Sequence, residues 1–223
     1  MDIKTFYIEK GDGFPIILLH GNNENCSYFK SQIDEFSQYY KVFAIDTRGH
    51  GNTPRGEKPF TINQFAHDLS NFMDEKNINK AHLLGFSDGG NIAIVFSVLY
   101  PEKVEKLILC GANLYPKGLT NLTQVTDKIQ YYYTRLFLKN NLKKEMLELM
   151  VQQPNINPDE LSKIKSKTLV IAGTKDLIKK EHTELIAKKI PDSKLVFIEG
   201  NHFIVYNNSY EFNKQVLNFL QAD

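Results

Sequence analysis

The chain has 223 residues, 42% of them hydrophobic, which is enough for the core of one α/β domain. Lys+Arg number 27 against 26 Asp+Glu, and a net charge of +1 creates no field that would favour nucleic acid or an anionic membrane. Two cysteines, Cys26 and Cys110, cannot supply the disulfide framework of a small secreted protein, and no apolar run approaches the ~20 residues needed to span a bilayer.

The N-terminus, Met1-Asp2-Ile3-Lys4, lacks the basic-then-apolar pattern of a secretory leader, so the expected location is the reducing cytoplasm. Short β-branched runs at 5–9 and 15–20 flank Gly11-Asp12-Gly13, a tight turn that predicts an antiparallel hairpin. Further strands are predicted at 42–45, 81–85, 106–110, 168–172 and 195–198. Several are apolar throughout, as strands covered on both faces must be. Helices are predicted at 26–38, 61–76, 87–100, 181–190 and 209–220, with Thr61 and Gln64 as a capping box for the second. Strand–helix alternation of this kind predicts an α/β fold: a mostly parallel, twisted sheet with helices on both faces.

One stretch breaks the alternation. From 112 to 165 no strand is evident, while Leu122, Val125, Ile129, Tyr132 and Leu136 recur at helical spacing and Leu142, Met146 and Leu149 follow. The expectation is a core of 1–111 and 166–223 with a small helical lid, 112–165, inserted over one end of the sheet. A lid position directs attention to Tyr131-Tyr132-Tyr133, of which Tyr132 and Tyr133 are taken as candidates to face a substrate, with Phe86 below them.

The segment that carries chemistry is Gly85-Phe86-Ser87-Asp88-Gly89-Gly90. It lies where a strand turns sharply into a helix, and glycines two before and two after Ser87 let the two elements approach. A serine hydroxyl needs a base and the base an orienting carboxylate. His202, in Gly200-Asn201-His202 after the last strand, would reach the carboxyl edge of the sheet, where parallel α/β sheets place their sites. The other histidines read otherwise: His20 opens a glycine loop, His50 braces a loop, His67 and His182 lie on helix surfaces, and His82 starts a strand. Asp176, ending Gly173-Thr174-Lys175-Asp176, is the carboxylate; the rival position reads Gly111-Ala112-Asn113 and carries no acid. An oxyanion would be received by the backbone N–H of Asp88 and by that of Asn22 in the loop His20-Gly21-Asn22-Asn23.

With Leu18-Leu19-His20-Gly21 and Asp46-Thr47-Arg48-Gly49-His50-Gly51 added to these pieces, the sequence resembles the α/β-hydrolase superfamily over essentially its whole length. The resemblance implies an inserted lid and no metal or organic cofactor. Ser87 argues against haloalkane dehalogenases and epoxide hydrolases, which carry aspartate at the elbow. The expected activity is hydrolysis of a small acyl ester through Ser87, Asp176 and His202. Thioester, amide and carbon–carbon hydrolysis, and a non-turnover small-molecule sensor, stay open beside it. The Ser-Asp-Gly-Gly elbow also resembles that of the biphenyl-hydrolase-like amino-acid ester hydrolases, where an acid beside the nucleophile could hold a substrate ammonium. The plainer reading of Asp88 is a helix cap or a tie to the neighbouring loop.

Overall fold

The computed structural model describes residues 2–222; Met1, the first residue of the N-terminus read above, lies outside them. Seven strands form one sheet in the order β1-β3-β2-β4-β5-β6-β7. They are β1 (Tyr7–Lys10), β2 (Pro15–Leu19), β3 (Lys41–Ile45), β4 (Ala81–Phe86), β5 (Val104–Cys110), β6 (Lys167–Lys175) and β7 (Ser193–Asn201). All neighbours pair parallel except β1 with β3.

Alternation along each strand builds the two halves of the core. Ile17, Leu19, Leu83, Leu107, Leu109 and Val170 point to one face, under α2 (Ile62–Glu75) and α3 (Asp88–Leu99). Ile16, Leu18, Leu84, Ile108, Leu169 and Ile171 point to the other, under α1 (Lys30–Phe36) and, at the end of the chain, α8 (Ser209–Gln221). Each of these strand residues is at most 2% exposed, so both faces are dry, which explains the uniformly apolar strand sequences.

The predicted hairpin does not form. β1 pairs antiparallel with β3, and β3 separates it from β2. The Gly-Asp-Gly segment instead carries the chain across the start of β3. Phe14 C=O accepts from Lys41 N–H at 3.1 Å, and Gly11, at φ +82°, sits where any Cβ would meet Ser37 O and Tyr40 O at 2.5 Å. The turn is real, but its glycines serve a crossing rather than a two-strand ladder. The capping box is half made: Thr61 Oγ1 accepts from Gln64 N–H, whereas the Gln64 side chain donates to Asp68.

Between β5 and β6 the chain forms α4 (Asn121–Phe137) and α5 (Asn141–Gln152), with short 3-10 turns at Pro116–Gly118 and Pro158–Lys163. Among the described residues one isolated bridge, Leu119 with Ile178 just beyond β6, ties this segment to the core. The apolar repeat read in α4 does not face the sheet: Leu122, Val125, Ile129, Tyr132 and Leu136 are 55–76% exposed. The inward face is made instead of Thr123, Tyr131 and Thr134, with the half-buried Asp127 on the same side. The remaining helices are α6 (Lys180–Lys189) and the short α7 (Ile204–Asn207). No helix among the described residues is long and apolar enough to cross a membrane. Cys26 and Cys110 are both buried free thiols.

Candidate active site

Strand order decides where a site can form. The chain runs from β2 outward to β3, then returns past β2 to β4, so a crevice opens at the carboxyl ends of β2 and β4. The loop after β2 begins at His20, and the turn after β4 holds Ser87. Asp176 follows β6 and His202 follows β7 on the same edge of the sheet.

Ser87 sits at φ 54°, ψ −120°, a region costly for any residue with a Cβ. The conformation is held by Ser87 N–H donating to Cys110 C=O at 2.8 Å and by the absence of side chains around it. A Cβ on Gly85 would lie 2.3 Å from Gly89 O, and one on Gly89 would lie 2.0 Å from Leu19 O. The strain therefore aims Ser87 Oγ outward at the rim of the sheet.

His202 Nδ1 lies 2.7 Å from Asp176 Oδ1, and its Nε2 lies 3.1 Å from Ser87 Oγ. A carboxylate oxygen only accepts, so the Nδ1–H tautomer is the one present, and Nε2 offers its lone pair to the serine hydroxyl. Asp176 is itself fixed: Oδ1 also accepts Ile178 N–H at 2.9 Å, and Oδ2 accepts Gly173 N–H at 3.3 Å. The His202 and Asp176 side chains are 6% and 3% exposed. The rival position at the end of β5 is closed by packing. Gly111, at φ +60°, sits where a Cβ would be 2.7 Å from the His202 ring.

The loop after β2 is braced from behind. His20 Nδ1–H donates to Gly21 C=O at 2.7 Å, and its Nε2 accepts Thr47 N–H at 3.0 Å. Asp46 accepts from Cys26 N–H and Asn52 N–H, both at 2.7 Å, and His50 donates to Arg48 C=O. Among the described residues, neither Asn22 N–H nor Asp88 N–H is bonded to a protein acceptor, so both are free to donate into the site. The Asn22 side chain ties three parts together, donating to Asp88 Oδ2 at 2.8 Å and to Met146 C=O of α5 at 3.1 Å. Asp88 thus bonds the neighbouring loop, and its second oxygen accepts from Asn91 at 3.1 Å.

A cavity of about 160 Å³ opens onto Ser87 and His202. Phe86 lies in its wall. Tyr132 and Tyr133 do not: both are 58% exposed on the outer side of α4. Helical periodicity is the reason, because Thr123 and Asp127 face the cavity and the next inward position on that face is Tyr131, whose hydroxyl is taken by Arg135. Glu24 and Asp127 were not foreseen. Glu24 N–H donates to Gly21 C=O and Glu24 Oε2 accepts Gly21 N–H at 3.0 Å, a turn that only the folded loop makes. Burial pushes Glu24 up to about 7, with Asp88 nearby adding to it; burial also raises Asp88 and Asp127. Among the described residues no group of three or more His, Cys, Asp or Glu side chains is placed to chelate a metal ion.

His182 is not on the surface. It is 6% exposed, its Nε2 accepts Leu114 N–H at 2.9 Å, and it packs on Tyr115, because the inserted segment lies across α6. Burial first, and then Lys neighbours or His50, holds His20, His82 and His182 down at about 4 from an ordinary 6.5. Each of these histidines binds a proton more readily unfolded than folded. Their stabilisation is complete above about pH 6.5 and drains as pH falls toward about 4. Glu24 has the opposite sign: its contribution is complete below 4.5 and is lost as pH rises through about 7. Burial lowers His50 as well, so four histidines act against three carboxyls, Glu24, Asp88 and Asp127. Tm measured by circular dichroism should climb from pH 4 to 6.5, and Glu24→Gln should raise Tm above pH 7 relative to the parent. A flat profile would contradict this.

A family model described as alpha/beta hydrolase fold matches residues 15–147. The chain is 26% identical to a 2-hydroxy-6-oxo-6-phenylhexa-2,4-dienoate hydrolase of Comamonas testosteroni, an alignment covering 99% of this chain and 92% of that one. It is likewise 26% identical to the human serine hydrolase BPHL, over 98% of this chain and 84% of the relative. Among solved structures, an esterase from Exiguobacterium antarcticum superposes with a TM-score of 0.86 at 20% identity, covering 99% of this chain and 96% of that one. An enol-lactonase from Burkholderia xenovorans gives 0.82 at 20%, covering 99% and 97%.

Proposed function

The chain belongs to the α/β-hydrolase fold family, and from that premise we propose that it hydrolyses small, uncharged or cationic carboxylic esters through an acyl-enzyme on Ser87. The observation that carries the reading is the hydrogen-bonded run Ser87 Oγ, His202 Nε2, His202 Nδ1, Asp176 Oδ1 at 3.1 and 2.7 Å, placed in the wall of a cavity.

Ser87 Oγ attacks the ester carbonyl while His202 Nε2 takes its proton, and Asp176 stabilises the imidazolium so formed. The carbonyl oxygen, now an anion, accepts from Asp88 N–H and Asn22 N–H; one such donor is worth about 3 kcal/mol of transition-state stabilisation. Collapse of the intermediate expels the alcohol, which leaves with the proton from His202. A water then gives its proton to the same nitrogen and its oxygen to the acyl carbon, and the acid departs as Ser87 recovers its hydrogen.

The cavity supports the substrate class. At about 160 Å³ it is below the ~300–1,000 Å³ of typical ligand pockets and suits short acyl chains. Its lining includes Glu24, Asp88 and Asp127 but no Lys or Arg among the described residues. The Comamonas relative is named for a dienoate, an anionic substrate. Carbon–carbon cleavage of such an anion is the second reading, and the lining speaks against it for this chain. Among the described residues it holds no Lys or Arg to pair with a carboxylate, and three carboxyls that burial already pushes toward neutrality would be pushed further by an entering anion. The test is a panel of p-nitrophenyl esters with a fluorophosphonate label mapped by mass spectrometry. We expect multiple turnover of acetate and butyrate esters, and kcat/KM at least ~10-fold lower for a hemisuccinate ester of matched length. Hemisuccinate turnover equal to butyrate would remove the charge argument, and one slow acylation without turnover would favour a sensor.

A further inference from the structure

The outer face of α4 carries a continuous stripe of exposed apolar side chains. Leu122, Val125, Ile129, Tyr132 and Leu136 are spaced three, four, three and four residues apart, and Tyr133 and Phe137 extend the stripe at its C-terminal end. All seven are more than half exposed, from 55% for Val125 to 76% for Leu122. A three–four repeat is the pattern of a seam that packs against another helix, because it keeps a narrow apolar line on one side over four turns. The opposite side of α4 has its own work, with Thr123 and Asp127 facing the cavity.

We propose that α4 is a self-association surface, and that two copies of this chain pack α4 against α4 across a two-fold axis. Area argues for an occupant. Seven large apolar side chains left mostly open exceed the ~300–600 Å² patch that monomers usually tolerate and approach the ~800 Å² that each partner brings to a standard interface. Charge argues for a second copy over a lipid surface. Helices that lie in membranes flank their apolar face with many Lys and Arg, whereas α4 carries Lys128, Arg135 and one acid, Asp127, in a chain of net charge +1. Arg135 is moreover turned inward onto the Tyr131 hydroxyl at 3.1 Å. A two-fold contact needs a surface complementary to itself, and a line of Leu, Ile, Val and Tyr without alternating charge meets that condition in either helix direction.

The consequence for the enzyme is that the partner would hold the roof of the cavity. The inference stands apart from the proposed reaction, because its readout is mass. Sedimentation velocity of the full chain at 1–100 µM is expected to give twice the 25.7 kDa chain mass. The double variant Ile129→Lys with Leu136→Lys, at positions 64% and 74% exposed, should sediment as a monomer, with the dimer weakened on the order of 100-fold or more. Its circular dichroism and melting temperature at low concentration should match the parent, and Ser87 should still accept a fluorophosphonate. A parent chain that stays monomeric at 100 µM would overturn the proposal. So would a dimer that survives the double variant, or a monomer that pellets with phosphatidylcholine vesicles.

Discussion

Ser87→Ala is expected to lower kcat on p-nitrophenyl acetate by about a million-fold while leaving the fold intact. Six decades correspond to roughly 8 kcal/mol of lost transition-state stabilisation. The change deletes one oxygen and nothing that holds the elbow. The residue 87 N–H still reaches Cys110 C=O at 2.8 Å, and alanine carries the same Cβ through the same φ of 54°. His202 keeps its 2.7 Å bond to Asp176, so the base stays aligned with nothing to activate. Activity above 1% of the parent, with a melting temperature within two degrees, would remove Ser87 from the reaction.

Asp176→Asn should cost about four decades of kcat, a larger penalty than the loss of one charge in water would suggest. The two oxygens of Asp176 receive three N–H groups: Gly173, Ile178 and His202 Nδ1. An amide has one oxygen. Whichever way the substituted side chain turns, its NH₂ confronts a donor, and the readiest escape is the His202 tautomer with the proton on Nε2. That tautomer offers Ser87 a proton where it needs a lone pair. The measurement is kcat against pH for parent and variant. A variant within ten-fold of the parent across the range would mean that Asp176 does not orient His202.

The elbow and its partners were legible because each is fixed by a local demand. Gly85 and Gly89 meet a close approach, and Asp176 and His202 each follow an apolar strand directly. What lay beyond reach depended on which elements become neighbours. The turn at 11–13 looks the same whether its strands pair or β3 slips between them. In α4 the apolar repeat marked a helix correctly but not which side meets the sheet, since Thr123, Tyr131 and Thr134 take the inward places. Tyr132 and Tyr133 were misplaced for that reason. His182 looked superficial until the inserted segment brought Leu114 N–H onto it. Glu24 escaped because a lone acid in a polar loop carries no period, and only the folded turn returns it to Gly21 N–H.

The forked donation of Asn22 has one more implication. Its amide reaches both Asp88, next to Ser87, and Met146 C=O in α5. A single amide therefore fastens the inserted helices to the turn beside Ser87, and displacing α5 from Asp88 costs one of its two bonds.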